Sequence, residues 1–319
     1  MKRSNVSPAT AAASFTGTYR LTGRIVVFDS AKTPFLKLRL SDCRHDHIAM
    51  LNLDTTAVPE RIGHLDLVTP KGVTQPHADN TALLSEFRKA TKEEANTLAT
   101  LQTLPRTYCP VPTALDQLVA AGQSLQSPHL RAFLTRVLER KSRMESFLNA
   151  PASANHHHAH TGGLLQHSLE VGKNAVAMLR LNEPSMPRLM QETCFVAGLL
   201  HDIGKTYTYD SKGKPNAAWK LCSHDAFTLE ACANGLAYLD QHEPEVALTL
   251  RHIWTCASPG ARYGHTAAMT LARYVRDADG QSAMADGQQR AFNKSARWGF
   301  NRLGNNVFWQ PELLAASAP

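Results

Sequence analysis

The run from Phe195 to Leu200 is apolar throughout and stops abruptly at His201-Asp202-Ile203-Gly204-Lys205. Such a run reads as a buried helix turn, and it carries the imidazole and carboxylate behind it toward the interior. Buried side by side, those two groups destabilise a fold by several kcal/mol unless something pairs with them. A divalent metal ion satisfies both, because neutral imidazole and carboxylate are its nitrogen and oxygen ligands. Any fold open to this chain must therefore gather further ligand-type side chains around His201 and Asp202. The segment 155–171 offers them: five of the chain's 15 histidines lie between His156 and His167.

The rest of the 319 residues narrows the class. Hydrophobic content is 43%, ordinary for a soluble globular protein. No run of 18 apolar residues is present, so no membrane span and no membrane partner are expected. The first residues are basic without an apolar core, which reads as a disordered arm over 1–16 and not as a secretory signal. Cys43, Cys109, Cys194, Cys222, Cys232 and Cys256 form no CxxC pair, which suggests reduced thiols and a cytoplasmic protein. The net charge of +7 favours anionic partners, nucleic acid or phosphates.

Hydrophobic periodicity changes along the chain. Residues 17–75 alternate as short strands: Tyr19–Phe28, the stretch with Leu36, Leu38 and Leu40, then Ile48–Leu53 and Leu65–Val68. Four or five strands in so short a stretch fit a small OB-like barrel. Lys37 and Arg39 face outward between the leucines and could track a phosphate backbone. Residues 76–112 read as a linker with a helical stretch, Ala82 to Leu101, closed by Pro105, Pro110 and Pro112. Residues 113–285 turn helical, with Leu115, Leu118, Val119, Leu130, Phe133, Leu134, Val137 and Leu138 as core candidates. The expected class is α+β. Residues 286–319 read as a basic tail: Arg290, Lys294 and Arg297 recur at helical spacing, with Trp298 and Phe300 interleaved, an aromatic pair that either docks the tail onto the helical core, the favoured reading, or stacks on bases.

The ligand candidates fall on separate helices. His167 follows Gly162-Gly163 on a helix whose inner face holds Val171, Ala175 and Met178. His224 opens a later helix, His252 lies within Glu245–Trp254, and a last helix, Thr266 to about Ala285, carries Asp277 and Asp279. Leu271 and Val275 mark that helix's buried face; Asp279 continues it, whereas Asp277 lies on the opposite side.

This order of His, His-Asp, His, His and Asp resembles the HD phosphohydrolase superfamily, and Ala278-Asp279 resembles its terminal Ala-Asp signature. The resemblance implies an all-helical domain that hydrolyses phosphoesters with Mn, Mg, Fe or a similar divalent ion. Its minimal ligand set would fall on His167, His201, Asp202 and Asp279. The stretch from His157 to Val171 is similar to a signature found in YhaM-type 3′→5′ exoribonucleases, which join an OB-fold to an HD domain, and in HD-type relaxases of the MobH class. The β-then-helical order favours the exonuclease layout. The chain departs from that pattern after Leu250-Arg251-His252, where a Ser-His-His-Gly segment is replaced by Cys256-Ala-Ser-Pro-Gly260. His224 and His252 then remain to hold a second ion.

The reading that results is a metal-dependent phosphodiesterase, with manganese or a similar ion, acting as a 3′→5′ exonuclease on single-stranded RNA or DNA. Lys205 would hold a phosphate oxygen as a point charge, and His157 and His158 would orient the scissile phosphate or support the ligands. The alternatives are a relaxase-like DNA-processing protein of a mobile element, a nucleotide phosphohydrolase, and a catalytically silent nucleic-acid-binding module.

Overall fold

Alternating leucines make the first layer. The structure is a computed structural model that describes residues 13–58, 61–74, 81–97, 100–210, 213–257, 264–293 and 298–312. Strands β1 (Ala13–Thr16), β2 (Tyr19–Phe28), β3 (Pro34–Ser41), β4 (Asp46–Asn52), β5 (Leu67–Thr74) and β6 (Ala82–Lys89) belong to one sheet. Its order β5-β2-β3-β4-β6 returns to β5, which closes a five-strand, OB-like barrel, and β1 adds to β5 outside that ring. All the pairs are antiparallel except β4 with β6. Leu36, Leu38, Leu40, Ala49, Leu51, Val68, Leu84 and Phe87 fill the interior. Arg20 is also buried there; its guanidinium donates to Leu65 O at 3.0 Å and Thr103 Oγ1 at 3.0 Å.

Two sequence expectations are corrected here. Residues 13–16 of the expected arm are a strand, with Phe15 buried. The stretch from Ala82, expected as a helix in a linker, is strand β6. Its pairing skips Ser85: Lys71 faces Glu86, but Gly72 faces Leu84. This bulge turns the buried set into Ala82, Leu84 and Phe87, and the last spacing of three imitates a helix.

The second compact unit starts at Cys109. It is built from α2 (Pro112–Ser124), α3 (Pro128–Leu138), α4 (Lys141–Asn149), α5 (Gly163–Asn182), α6 (Arg188–Leu200), α7 (Ala217–Leu221), α8 (His224–His242), α9 (Pro244–Thr255) and α10 (Thr270–Phe292); α1 (Lys92–Thr97) belongs to the first unit. The expected core leucines of α2 and α3 are buried, and Val119 is half-buried. Helices α5, α6 and α10 pack on one another. The α5–α6 approach is very close: a methyl on Gly198 would come within 2.8 Å of Gly172 Cα.

The basic tail takes a different form from the one expected. α10 continues to Phe292, and a hairpin follows, β7 (Gly299–Leu303) paired with β8 (Asn306–Gln310). Its two-residue turn places Gly304 at φ 58, the positive φ such turns demand. Lys294 and Arg297 lie outside the described residues. Arg290 is within 3.6 Å of Asp286. Trp298 and Phe300 are exposed. All six cysteines are free thiols. Among the described residues no helix is long and apolar enough to cross a membrane.

Candidate metal centre

Three helices bring side chains together around Asp202. His167 stands in the second turn of α5, His201 caps α6, Asp202 follows it, and Asp279 projects from the middle of α10. His167 Nε2 lies 3.1 Å from Asp279 Oδ1 and 3.6 Å from Asp202 Oδ2. His201 Nε2 lies 3.3 Å from Asp202 Oδ2 and 3.7 Å from Asp279 Oδ1. As the helix-face reading expects, Asp279 reaches this cluster and Asp277 is exposed.

Hydrogen bonds behind the rings fix their tautomers. Ser282 Oγ donates its one proton to Glu170 Oε2 at 2.7 Å, so toward His167 Nδ1, 3.0 Å away, it accepts. His167 is therefore protonated on Nδ1, and its Nε2 lone pair faces the carboxylates. In the same way His201 Nδ1 donates to Gly198 O at 2.7 Å. Both Nε2 atoms are buried with no hydrogen-bond partner directed at them among the described residues. Burial works against a charge on His201, but Asp202 and Asp279 outweigh it and hold its pKa up at about 10. A positive charge is stabilised where that nitrogen points. Asp202, against the opposing effect of burial, is held well below the carboxylate range by Lys205 and His201.

One ligand atom each from His167, His201 and Asp202 lies within 4.8 Å of the others, and the same holds for His157, His167 and Asp279. Two ligand groups sharing His167, with ring nitrogens turned toward carboxylates, fit a divalent cation with mixed nitrogen and oxygen donors, which would take the place of the proton that Asp202 and Asp279 hold on His201.

The other expected residues fall around this cluster. His157 was expected to orient the scissile phosphate or support the ligands; its Nε2 is buried without a directed partner, and its ring lies 4.8 Å from that of His167. Burial, then His167, pushes its pKa down to about 4, which keeps it neutral and ligand-ready. His158 is buried and bonded on two sides: its N–H donates to Asp286 Oδ2 at 2.9 Å, and Nε2 sits 3.1 Å from Glu170 Oε2. It supports the loop, which it enters at φ 45. Lys205 was expected to be available to substrate. Its Nζ is instead 2.6 Å from Asp202 Oδ2 and mostly buried, so its charge is committed to that carboxylate. His224 Nε2 lies 3.0 Å from the other oxygen of Asp202, which raises its pKa through that hydrogen bond. His252 is not part of either ligand group; its Nε2 accepts the Ala268 N–H at 2.9 Å. Lys37 and Arg39 are exposed on β3, as alternation requires.

Gly204 explains how His224 reaches Asp202. A Cβ there would lie 2.0 Å from His224 O, so only a bare backbone allows the turn Ile203–Tyr207 and the start of α8 to meet. Thr228 fastens the junction, donating to His201 O at 3.0 Å and accepting from Gly204 N at 3.2 Å.

Ser282, Glu170 and Asp286 escaped the sequence reading. A signal was present: Asp279, Ser282 and Asp286 recur at i, i+3 and i+7, a polar stripe along the inward face of α10.

Comparison with known proteins adds two likenesses. The family TraI_2, described as "Putative helicase", matches residues 114–220, about a third of the chain and a stretch that contains His167, His201, Asp202 and Lys205. A dihydroneopterin 2′,3′-cyclic phosphate phosphodiesterase of Methanocaldococcus jannaschii is 42% identical over 64 residues. That match covers 20% of this chain and 26% of the relative. Both likenesses are partial. Gly204-Lys205-Thr206 looks like the end of a nucleotide-binding P-loop, but it follows helix α6, not a strand, and its lysine is paired with Asp202.

Proposed function

We propose that the chain is a metal-dependent phosphodiesterase that degrades single-stranded nucleic acid from the 3′ end. The observation that carries this reading is the convergence of the His167 and His201 Nε2 atoms on Asp202 and Asp279. His167, His201, Asp202 and Asp279 would hold a manganese, iron or similar ion, with His157 beside them for a second. Such an ion, when bound, polarises a phosphoryl oxygen and makes a water molecule acidic enough to attack at neutral pH. The protein's own groups do the rest. Ser282 and the Gly198 carbonyl keep the two rings aimed. Lys205 offsets the charge of Asp202. His224, half-exposed at the rim and with its pKa raised by the hydrogen bond to Asp202, suits a non-bridging phosphate oxygen. The exposed Lys37 and Arg39 on the barrel suit the phosphate backbone of the strand.

A second reading, a nucleotide-sized substrate, is favoured by the cyclic phosphate named for the Methanocaldococcus relative. Incubating the protein with 5′-labelled RNA and single-stranded DNA, with and without Mn²⁺, separates the two. A ladder of shortened products that needs the metal is expected; intact strands together with hydrolysis of 2′,3′-cyclic mononucleotides would establish the second reading. In the same assay Asp279→Ala should lose bound metal and activity together, whereas Asp277→Ala should keep both. Equal losses from the two variants would remove Asp279 from the ligand set.

A further inference from the structure

We propose that a cavity beside the metal centre is a nucleobase pocket, which seats the 3′-terminal base of the strand while its phosphate lies at the ligand cluster. The proposal rests on the phosphodiesterase reading and adds to it what the enzyme grips.

The cavity lies in the helical unit, between the His156-His157 loop, one side of α10 around Ala283 and Gly287, and the β7–β8 hairpin. Its volume is about 880 Å³, within the range of sites that bury small organic ligands. His157 belongs both to its lining and to the ligand group with His167 and Asp279. A group seated in the cavity is thus one side chain away from the candidate cation, the relation that a base has to its own phosphate across one sugar.

The lining decides what kind of group fits. Met284, Phe308 and Trp309 supply apolar and aromatic surface, and Asn155, Asn305 and Asn306 supply amides that both donate and accept. The described lining residues include no lysine, arginine or carboxylate. Such a wall suits a flat, neutral ring with hydrogen-bonding edges, and it is unsuited to a phosphate. The wall is also fixed in place. Phe308 rests on the bare backbone of α10, where a Cβ on Gly287 would come within 2.9 Å of the ring. Asn301 Nδ2 donates to Ala291 O, so the hairpin is fastened to α10 at two points.

The test compares two 5′-fluorescein tetrathymidylates, one ordinary and one abasic at its 3′ end, binding to the full-length protein without added metal. Anisotropy should show the base-bearing strand bound about tenfold more tightly, toward the lower end of what one base–aromatic stack supplies. Trp309→Ala removes a half-exposed wall residue, and Ala283→Phe fills the space from the other side. Each should bring the preference close to unity, with circular dichroism confirming the fold. Equal binding of the two strands by the parent protein overturns the proposal, as does a preference that survives both substitutions. Binding needs no turnover, so the two readings fail separately. A base preference lost in the variants, in a protein that cleaves no phosphodiester, would sink the phosphodiesterase reading and leave the pocket standing.

Discussion

Ser282 has one proton and three neighbours that could take it, Glu170 and the rings of His167 and His158. Glu170 takes it, and His167 is left to donate. This one hydroxyl therefore decides which nitrogen of His167 faces the carboxylates. Replacing it with Ala removes the acceptor, lets the ring change tautomer and weakens the ligand set without touching it. Supporting residues of this kind change metal affinity by roughly 10–100-fold, and Ser282→Ala should lower Mn²⁺ affinity on that scale in a calorimetric titration. Unchanged affinity would mean that His167 Nδ1 is held in some other way. The candidate ligands were legible in the sequence, because His201-Asp202 and the histidine cluster are conspicuous and helix periodicity chose Asp279 over Asp277. Their supports were not, since a serine and a glutamate on helices far apart in sequence reveal nothing until α5 and α10 are packed. Lys205 adds what the sequence does not carry: the cation expected to hold a phosphate oxygen is paired with Asp202.

Elements are held together by a few buried polar ties. Glu192 on α6 accepts the Gln126 and Ser127 N–H groups at 2.8 and 3.0 Å, joining α6 to the start of α3, and Arg188 Nε donates to it at 2.8 Å. Burial alone would raise its pKa; the two backbone donors and Arg188 outweigh that and lower it. A carboxyl with a depressed folded pKa stabilises the protein above its unfolded pKa of about 4.3, and this stabilisation is lost as pH falls through the folded value. Glu192→Ala should then cost about 2 kcal/mol at pH 7 for the stranded donors, a melting-point drop of about 4–8 °C. The gap between parent and variant should narrow in acid. A gap independent of pH would show that the carboxylate's charge contributes nothing. Elements were also where the sequence misled. β6 was masked by its bulge at Ser85. The hairpin was masked by basic residues at helical spacing, which obscure Gly304 and the alternation of exposed and half-buried residues along its strands.

At the scale of the whole molecule, the expected α+β class holds, and the chain divides after Tyr108 into a barrel unit and a helical unit. The division has a practical consequence for any deletion: a cut near residue 75 would remove β1 to β5 and leave β6 without its sheet, so the separable piece begins at Cys109. A protein of residues 109–319 should still hydrolyse bis-p-nitrophenyl phosphate, because every ligand candidate lies within it. It should bind oligonucleotides more weakly and with a shallower salt dependence, by about 0.7 in the log–log slope for each phosphate of a single strand that the barrel no longer neutralises. A folded truncated protein that degrades long strands as well as the full chain does would assign the barrel another role. The closure of α10 on α5 has a further consequence, in the order of synthesis. His167 meets Ser282 across 115 residues, and translation delivers His167, His201 and His224 well before Asp279. A growing chain folds from its N-terminal side first, so the cluster stays unfinished while the segment between Asp202 and Asp279 emerges, and a product cut short before α10 lacks one of the candidate ligands.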